Sequence, residues 1–145
     1  MQQQPNGLHR VVRHIHQHSP QMMIAIEQGD KTQVLSANYI VHKNCYYVAL
    51  PMKYVRACLQ TPQTAVLLLE TIDNSQLSWV AVARIVAHTE SRFPYLRMAL
   101  QARFNNACFM CELCPQQGRA VSATGQIYDI DAQDLYAIEQ PQMVA

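Results

Sequence analysis

Ala65-Val66-Leu67-Leu68-Leu69-Glu70, the polar tip Asp73-Asn74-Ser75-Gln76 and the run from Ser78 to Thr89 form the stretch on which the fold turns. The first piece is continuous and apolar enough for a central strand. In the last, Trp79, Ala81, Ala83 and Ile85 share one face and Val80, Val82, Arg84 and Val86 the other, the two-residue period of a strand. Arg84 then projects from a strand flank. Two strands joined by a polar tip make a hairpin, and the chain repeats this pattern on either side.

Upstream, Leu8 to His18 places Leu8, Val11, Val12 and Ile15 at helical spacing until Ser19-Pro20 stops it, which predicts a short helix capping one end of a barrel. Gln21 to Gln28 reads as a buried strand, Gly29-Asp30 as its turn and Thr32 to Val41 as a second strand. His42-Lys43-Asn44 is a turn and Cys45 to Leu50 a third strand, rich in aromatic and branched residues. Pro51 breaks it, and a short helix is expected over Lys53 to Gln60, ended by Thr61-Pro62. Downstream, Phe93, Leu96, Leu100 and Phe104 mark a helix over Glu90 to Phe104, with Pro94 in its first turn. Ala107 to Cys114 is a strand, Pro115 to Gly118 a turn, Ala120 to Ile130 the last strand and Asp131 to Leu135 a closing turn or short helix. This is a mostly β (α+β) pattern: six or seven antiparallel strands in a closed barrel with two or three short helices. It makes one domain over residues 8–138, with short tails at 1–7 and 139–145.

Half of the 145 residues are hydrophobic and only 14% are charged, which excludes disorder and leaves much apolar surface to cover. The formal net charge is +1, and the eleven Lys and Arg form no basic run, so nucleic acid is not an expected partner. No stretch approaches the ~20 apolar residues of a membrane helix, and the polar start lacks an apolar signal core, so no membrane association and a cytoplasmic location are expected. Five cysteines without a secretion signal point to reduced thiols rather than a disulfide framework. Nucleophile-elbow, Walker, Rossmann and His-Glu-x-x-His words are absent, so hydrolase, triphosphatase and zincin readings have no starting residue.

Several words, taken in order, carry a resemblance. They are Val34-Leu35-Ser36-Ala37-Asn38-Tyr39, then Tyr46-Tyr47-Val48, then Tyr54 to Pro62 with Arg56 inside it, then Ala65 to Leu69. Near the other end stand Gly118-Arg119-Ala120-Val121, then Gly125 to Asp131, then Asp134-Leu135. The chain resembles the flavin-binding split barrels of the pyridoxamine-phosphate-oxidase-like superfamily, and within them the haem-utilisation branch of the HugZ and HutZ type. The resemblance implies a homodimer through the barrel face, with flavin mononucleotide (FMN) in a groove between the subunits and haem as the other cofactor. By position it implies Ser36 and Tyr39 on the strand lining the groove, Lys53 and Arg56 at the strand-to-helix junction, and Arg84 on the long strand opposite. A phosphate dianion suits an Arg fork beside a Lys point charge. Two functions follow: an FMN-dependent oxidoreductase-like protein, its substrate open, or a non-catalytic haem-binding or stress-related module whose flavin site has degenerated. The branch's proline after Ser36-Ala37-Asn38 is missing, and no histidine lies beyond His88 to match its C-terminal axial ligand.

Two clusters lie outside that resemblance. Cys108-x-x-Cys111-x-x-Cys114 on a strand puts Cys108 and Cys114 on one face and Cys111 on the other, which reads as small buried hydrophobes, with zinc as the rival reading. His14 and His18, one helical turn apart beside His16, read as a solvated helix face or as two ligands of a metal whose further ligands are not nearby in sequence. The expectation is no metal site.

Overall fold

The computed structural model describes residues 5–28, 31–54, 62–101 and 108–139. Among them, seven strands form one antiparallel sheet: β1 (Gln21–Gln28), β2 (Lys31–His42), β3 (Cys45–Pro51), β4 (Gln63–Glu70), β5 (Gln76–Val86), β6 (Cys108–Val121) and β7 (Ile127–Asp131). The order is β3-β2-β1-β4-β5-β6-β7, and β3 also pairs with β6. That extra pairing closes six strands into a barrel and leaves β7 outside it as an added edge. Three helices accompany them: α1 (Pro5–His18), α2 (Phe93–Leu100) and α3 (Ala132–Glu139). The expected split-barrel α+β fold is the observed one.

Alternation along the strands explains the closure. On β5, Leu77, Trp79, Ala81 and Ala83 are buried while Gln76, Val80 and Arg84 are exposed, as the two-residue period requires. The inward set joins Ile24, Ile26, Tyr46, Val48, Leu67, Leu69, Leu113 and Ala120 in the barrel core, with Val12 and Ile15 of α1 and Leu135 and Ile138 of α3 closing one end. Trp79 Nε1 donates to the Tyr46 hydroxyl at 3.0 Å, and that hydroxyl meets His16 Nε2 at 2.8 Å. His16 Nδ1 meets Glu139 at 2.8 Å. Because a carboxylate only accepts and an indole N–H only donates, a neutral His16 protonated at Nδ1 satisfies every member of this chain. It pins both capping helices to the core.

Several boundaries differ from those read in the sequence. Pro115 to Gly118 is not a turn: β6 runs straight through it to Val121, with Pro115 opposite Ala81 and a register shift between Val80 and Ala81. The bulge absorbs the proline, which cannot donate to a ladder. Gly118 is required there, because a Cβ would lie 2.3 Å from the Ser78 carbonyl oxygen and 2.7 Å from the Trp79 ring. The true turn falls at residues 122–126, where Gly125 has φ +89°, so Ala120 to Ile130 is two strand segments. The β5 strand ends at Val86 rather than Thr89, and α2 starts at Phe93, with Pro94 in its first turn and Gln101 in a left-handed cap. The helix expected over Lys53 to Gln60 shows a 3-10 turn at Met52–Tyr54; its remainder lies outside the described residues.

Candidate functional site

The outer surface of the barrel divides into two halves. On one, α2 lays Phe93 and Leu96 over Tyr47, Val86, Met110 and Cys45, a second small core on the outside of β3, β5 and β6. A single row crosses this half, Ile40 opposite Tyr47, Tyr47 opposite Glu112 and Glu112 opposite Arg84. Glu112 is 2% exposed, and four groups converge on its carboxylate. Arg84 Nε donates at 2.6 Å, the Tyr47 hydroxyl at 2.8 Å and the Cys114 thiol at 3.2 Å. The fourth is Arg92, from the turn before α2, which also donates to Tyr47 at 3.0 Å. Burial pushes the Glu112 carboxyl up, but these four bonds together hold it below its ordinary value. Burial pushes the Tyr47 hydroxyl up, and its bond to Glu112 adds to this. Such a cluster is a structural clamp: both carboxylate oxygens of Glu112 are taken by donors from the chain itself.

The other half is open. Val34, Ala25, Val66 and Val80 form one row across β2, β1, β4 and β5, with Met23 and Leu68 one row along. Val34 is 59% exposed, Val66 49%, Met23 46% and Val80 40%. The row continues onto a cleft of about 240 Å³ lined by Val66, Ser78, Val80, Gln117, Gly118 and Arg119. Beside it, a second cleft of about 440 Å³ runs over Gln117, Asp129 and Asp134. The Arg119–Asp129 pair is exposed and loose at 3.8 Å, so this guanidinium is weakly committed. The apolar sheet face thus runs into a groove rimmed by one guanidinium, Arg119, and by the carboxylates of Asp129, Asp131 and Asp134.

The sequence-derived site residues fall in different places. Ser36 is exposed on the outer surface of β2, opposite Met23, and so belongs to the open half. Tyr39 has the other parity: it packs toward the barrel core, and its hydroxyl donates to the Ser19 carbonyl at 2.7 Å. Arg84 sits on the covered half, its Nε engaged by Glu112. Lys53 is exposed in the 3-10 turn after β3; Arg56 lies outside the described residues. Arg119 was not singled out by the sequence reading, although the Gly118-Arg119 word marked its neighbourhood.

The histidine pair gains a partner that sequence distance hid. Asp73, at the β4–β5 hairpin, meets His14 Nε2 at 2.8 Å, and the His14 and His18 rings lie 4.6 Å apart. With Thr71 and Ile72 they line a cleft of about 270 Å³. Bonds from Thr71 and Ser75 hold the Asp73 carboxyl well below the usual carboxylate range. The cysteine triplet does not gather: Cys111 is buried in the barrel core, whereas Cys114 faces outward beside Cys45.

No family model and no curated protein matches the sequence. Solved structures do match. A "heme binding protein from Mycobacterium smegmatis" superposes with a TM-score of 0.74 at 12% identity, over 94% of this chain and 62% of that one. HutZ from Vibrio cholerae, described as a heme storage protein, gives 0.61 at 14% identity over 80% and 92% of the two chains. A Clostridium acetobutylicum protein related to general stress protein 26, of the pyridoxinephosphate oxidase family, gives 0.64 at 8% identity over 90% and 98%. The chain thus spans about three-fifths of the mycobacterial structure's length. It shares the split-barrel fold of these structures. A heme-binding and a heme-storage protein, by their names, stand among the structures that share it.

Proposed function

We propose that this chain is a homodimeric binding module for a planar cofactor with anionic arms, haem in first place, seated in a groove that the second copy completes. The observation that carries this reading is the open apolar half around Met23, Val34, Val66 and Val80. A patch of this kind, continuous across four strands and running into a polar cleft, is the signature of a surface kept for association. Packing two such halves together hides it and walls a groove along its edge. There the Arg119 guanidinium offers a partner for a carboxylate arm, and the valines and Met23 supply a flat apolar surface. The names of the similar mycobacterial and Vibrio proteins support haem as the occupant.

Iron also asks for an axial ligand, and among the described residues no histidine lines either cleft beside the open half. Among the described histidines, His16 has both ring nitrogens engaged, by Tyr46 and Glu139, and the His88 ring stacks on Phe93. His18 is exposed. It and His14 line a separate cleft with Thr71, Ile72 and Asp73, so neither is assigned as an axial ligand in the groove.

A second reading, an FMN-dependent oxidoreductase-like protein, rests on Ser36 and Lys53, both exposed, as contacts to the flavin phosphate. It ranks second because Arg84 Nε and the Tyr39 hydroxyl, both assigned to the flavin by the resemblance, already bond within the chain. In that case the flavin supplies the redox chemistry and the protein the orientation. An absorbance spectrum of the purified full chain, followed by haem titration and size-exclusion chromatography, separates the readings. A Soret band saturating at a fixed haem-to-dimer ratio is expected. Flavin bands with no haem uptake would move the assignment to FMN, and a monomer with neither would overturn both.

A further inference from the structure

At the edge of the covered half, two thiols meet. Cys45 opens β3 and Cys114 lies in β6. The ladder pairs Tyr46 with Leu113 and Tyr47 with Glu112, and one further antiparallel step places Cys45 directly opposite Cys114. Their sulfurs are 2.8 Å apart. Directly opposed residues on antiparallel strands have Cα atoms about 4.5–5.5 Å apart, within the range a disulfide spans. Both cysteines are free. Cys45 is 8% exposed and Cys114 half-buried, so a small oxidant can reach the pair while a bulky one is hindered.

The surroundings tell the two sulfurs apart. Contact with Cys114 and the positive charge of Arg92 and Arg84 hold the Cys45 thiol below its ordinary value, outweighing burial and Glu112, which act the other way. Cys114 is pushed up, first by its contact with Cys45 and then by burial and by Glu112. One sulfur is thus the better nucleophile, and its neighbour keeps its proton until attack.

With Glu112, the pair also forms the one group among the described residues whose ligand atoms lie close enough to hold a metal ion. Two observations count against a metal. The Glu112 carboxylate is already bonded by two guanidinium groups, and a third cation would have to displace them. Two thiolates on a tetrahedral zinc, with bonds of about 2.3 Å, stand roughly 3.8 Å apart, well beyond the 2.8 Å found here.

We infer that Cys45 and Cys114 form a reversible intramolecular disulfide when the protein meets hydrogen peroxide, stapling β3 to β6 across the seam that closes the barrel. The Cys45 thiolate attacks one peroxide oxygen and displaces hydroxide, giving a sulfenic acid at Cys45. The Cys114 sulfur then attacks the Cys45 sulfur; its proton and the sulfenic hydroxyl leave as water. In sum, two thiols are oxidised to one disulfide, and one peroxide is reduced to two waters. A dithiol reductant reverses the change. The inference does not depend on which cofactor the open half holds.

The test uses the reduced full chain, treated with a small excess of hydrogen peroxide and then alkylated. Two of the five thiols should be lost and regained with dithiothreitol. Non-reducing peptide mapping of the unmutated protein should give a single crosslink between the peptides holding Cys45 and Cys114. The oxidised form should melt about 5 °C or more above the reduced form, because the closed loop is long. C114S, checked for folding by circular dichroism, should leave a Cys45 sulfenic acid that dimedone traps. Five unchanged thiols, a crosslink using another cysteine or another chain, or one equivalent of bound zinc that blocks oxidation until chelated would each overturn the inference. The peptide map requires no variant, so a misfolded C114S leaves the test intact.

Discussion

The two outer halves of this barrel are made from one sheet with one alternating pattern, yet they end in opposite states. On the half formed by β3, β6 and the end of β5, outward residues such as Tyr47, Met110 and Val86 lie under α2 and are at most 3% exposed. On the half formed by β2, β1, β4 and the start of β5, outward Val34, Val66, Met23 and Val80 have no helix over them among the described residues. Helix placement makes the difference: α2, which follows β5 and precedes β6 in the chain, lies over β3 and the end of β2 beside them and leaves the rest of the outer face without a helix among the described residues. A cover taken from the chain itself permits a buried charge cluster at its edge, because Arg92 arrives with the helix. An open half has to remain apolar and charge-poor if a second copy is to cover it.

The sharpest way to break the comparison is to remove the clamp of the covered half. Glu112→Ala leaves two guanidinium groups and a tyrosine hydroxyl without their shared acceptor, and should cost about 3–5 kcal/mol, as loss of one partner of a buried ion pair does. Chemical denaturation of purified wild type and variant measures it. The same carboxylate gives the covered half a pH signature. Its folded value lies below the ordinary one, so in that window the unfolded chain binds more protons and stability rises with pH. The contribution is complete above the ordinary carboxylate range and is lost as pH falls through and below it. Glu112→Gln should flatten this acid limb, and denaturation midpoints taken between neutral and acid pH check it; an equally steep limb in the variant would assign the acid sensitivity elsewhere, for instance to Asp73.

A step smaller is the lid itself. Leu96 is fully buried on α2 against the outer surface of the barrel, and Leu96→Ala should cost about 2–4 kcal/mol, through lost transfer energy and the cavity left behind. Because the barrel core lies on the other side of the sheet, the Trp79 environment should stay unchanged; a shifted Trp79 emission maximum in the folded variant would show that the two cores are coupled.

How much of this was legible in the sequence follows from what each signal encodes. The hairpin of Ala65–Glu70 with Ser78 onward was legible because a two-residue period is a local property. The turn misplaced at Pro115 to Gly118 shows the opposite case. Proline and glycine signal a turn locally, but here a bulge across from Val80 and the Trp79 ring against Gly118 override that signal, and both are tertiary. The clamp was invisible for a similar reason. Arg84, Arg92, Tyr47 and Glu112 are spread over 66 positions of sequence; only the antiparallel register of β3, β6 and β5 brings Tyr47, Glu112 and Arg84 into one row, and Arg92 joins them from the turn before α2. Asp73 reached His14 through the β4–β5 turn, a contact that helical spacing on α1 could not reveal. Ser36 was correctly assigned to β2, but whether it shares a surface with Tyr39 is settled by parity, which turns the two residues to opposite sides.

The smallest effect on folding is expected where the largest effect on assembly lies. Val66 stands in the middle of the open half, half exposed in the single chain, with Ala25 and Val80 beside it in register. A lysine there keeps its ammonium in water by extending its stem along the neighbouring apolar surface. Val66→Lys should therefore change the stability of the isolated chain by no more than about 0.5 kcal/mol, the usual range for exposed positions. In a dimer built on this half, the same charge has to be buried at the centre of an apolar contact or drive the copies apart, because an unpaired charge cannot be taken out of water cheaply. Sedimentation velocity on wild type and variant reads the difference directly. The expected result is a dimer that becomes a well-folded monomer with unaltered circular dichroism. A Val66→Lys protein that still sediments as the wild-type dimer would show that copies meet elsewhere, and the open half would then lose its assigned partner.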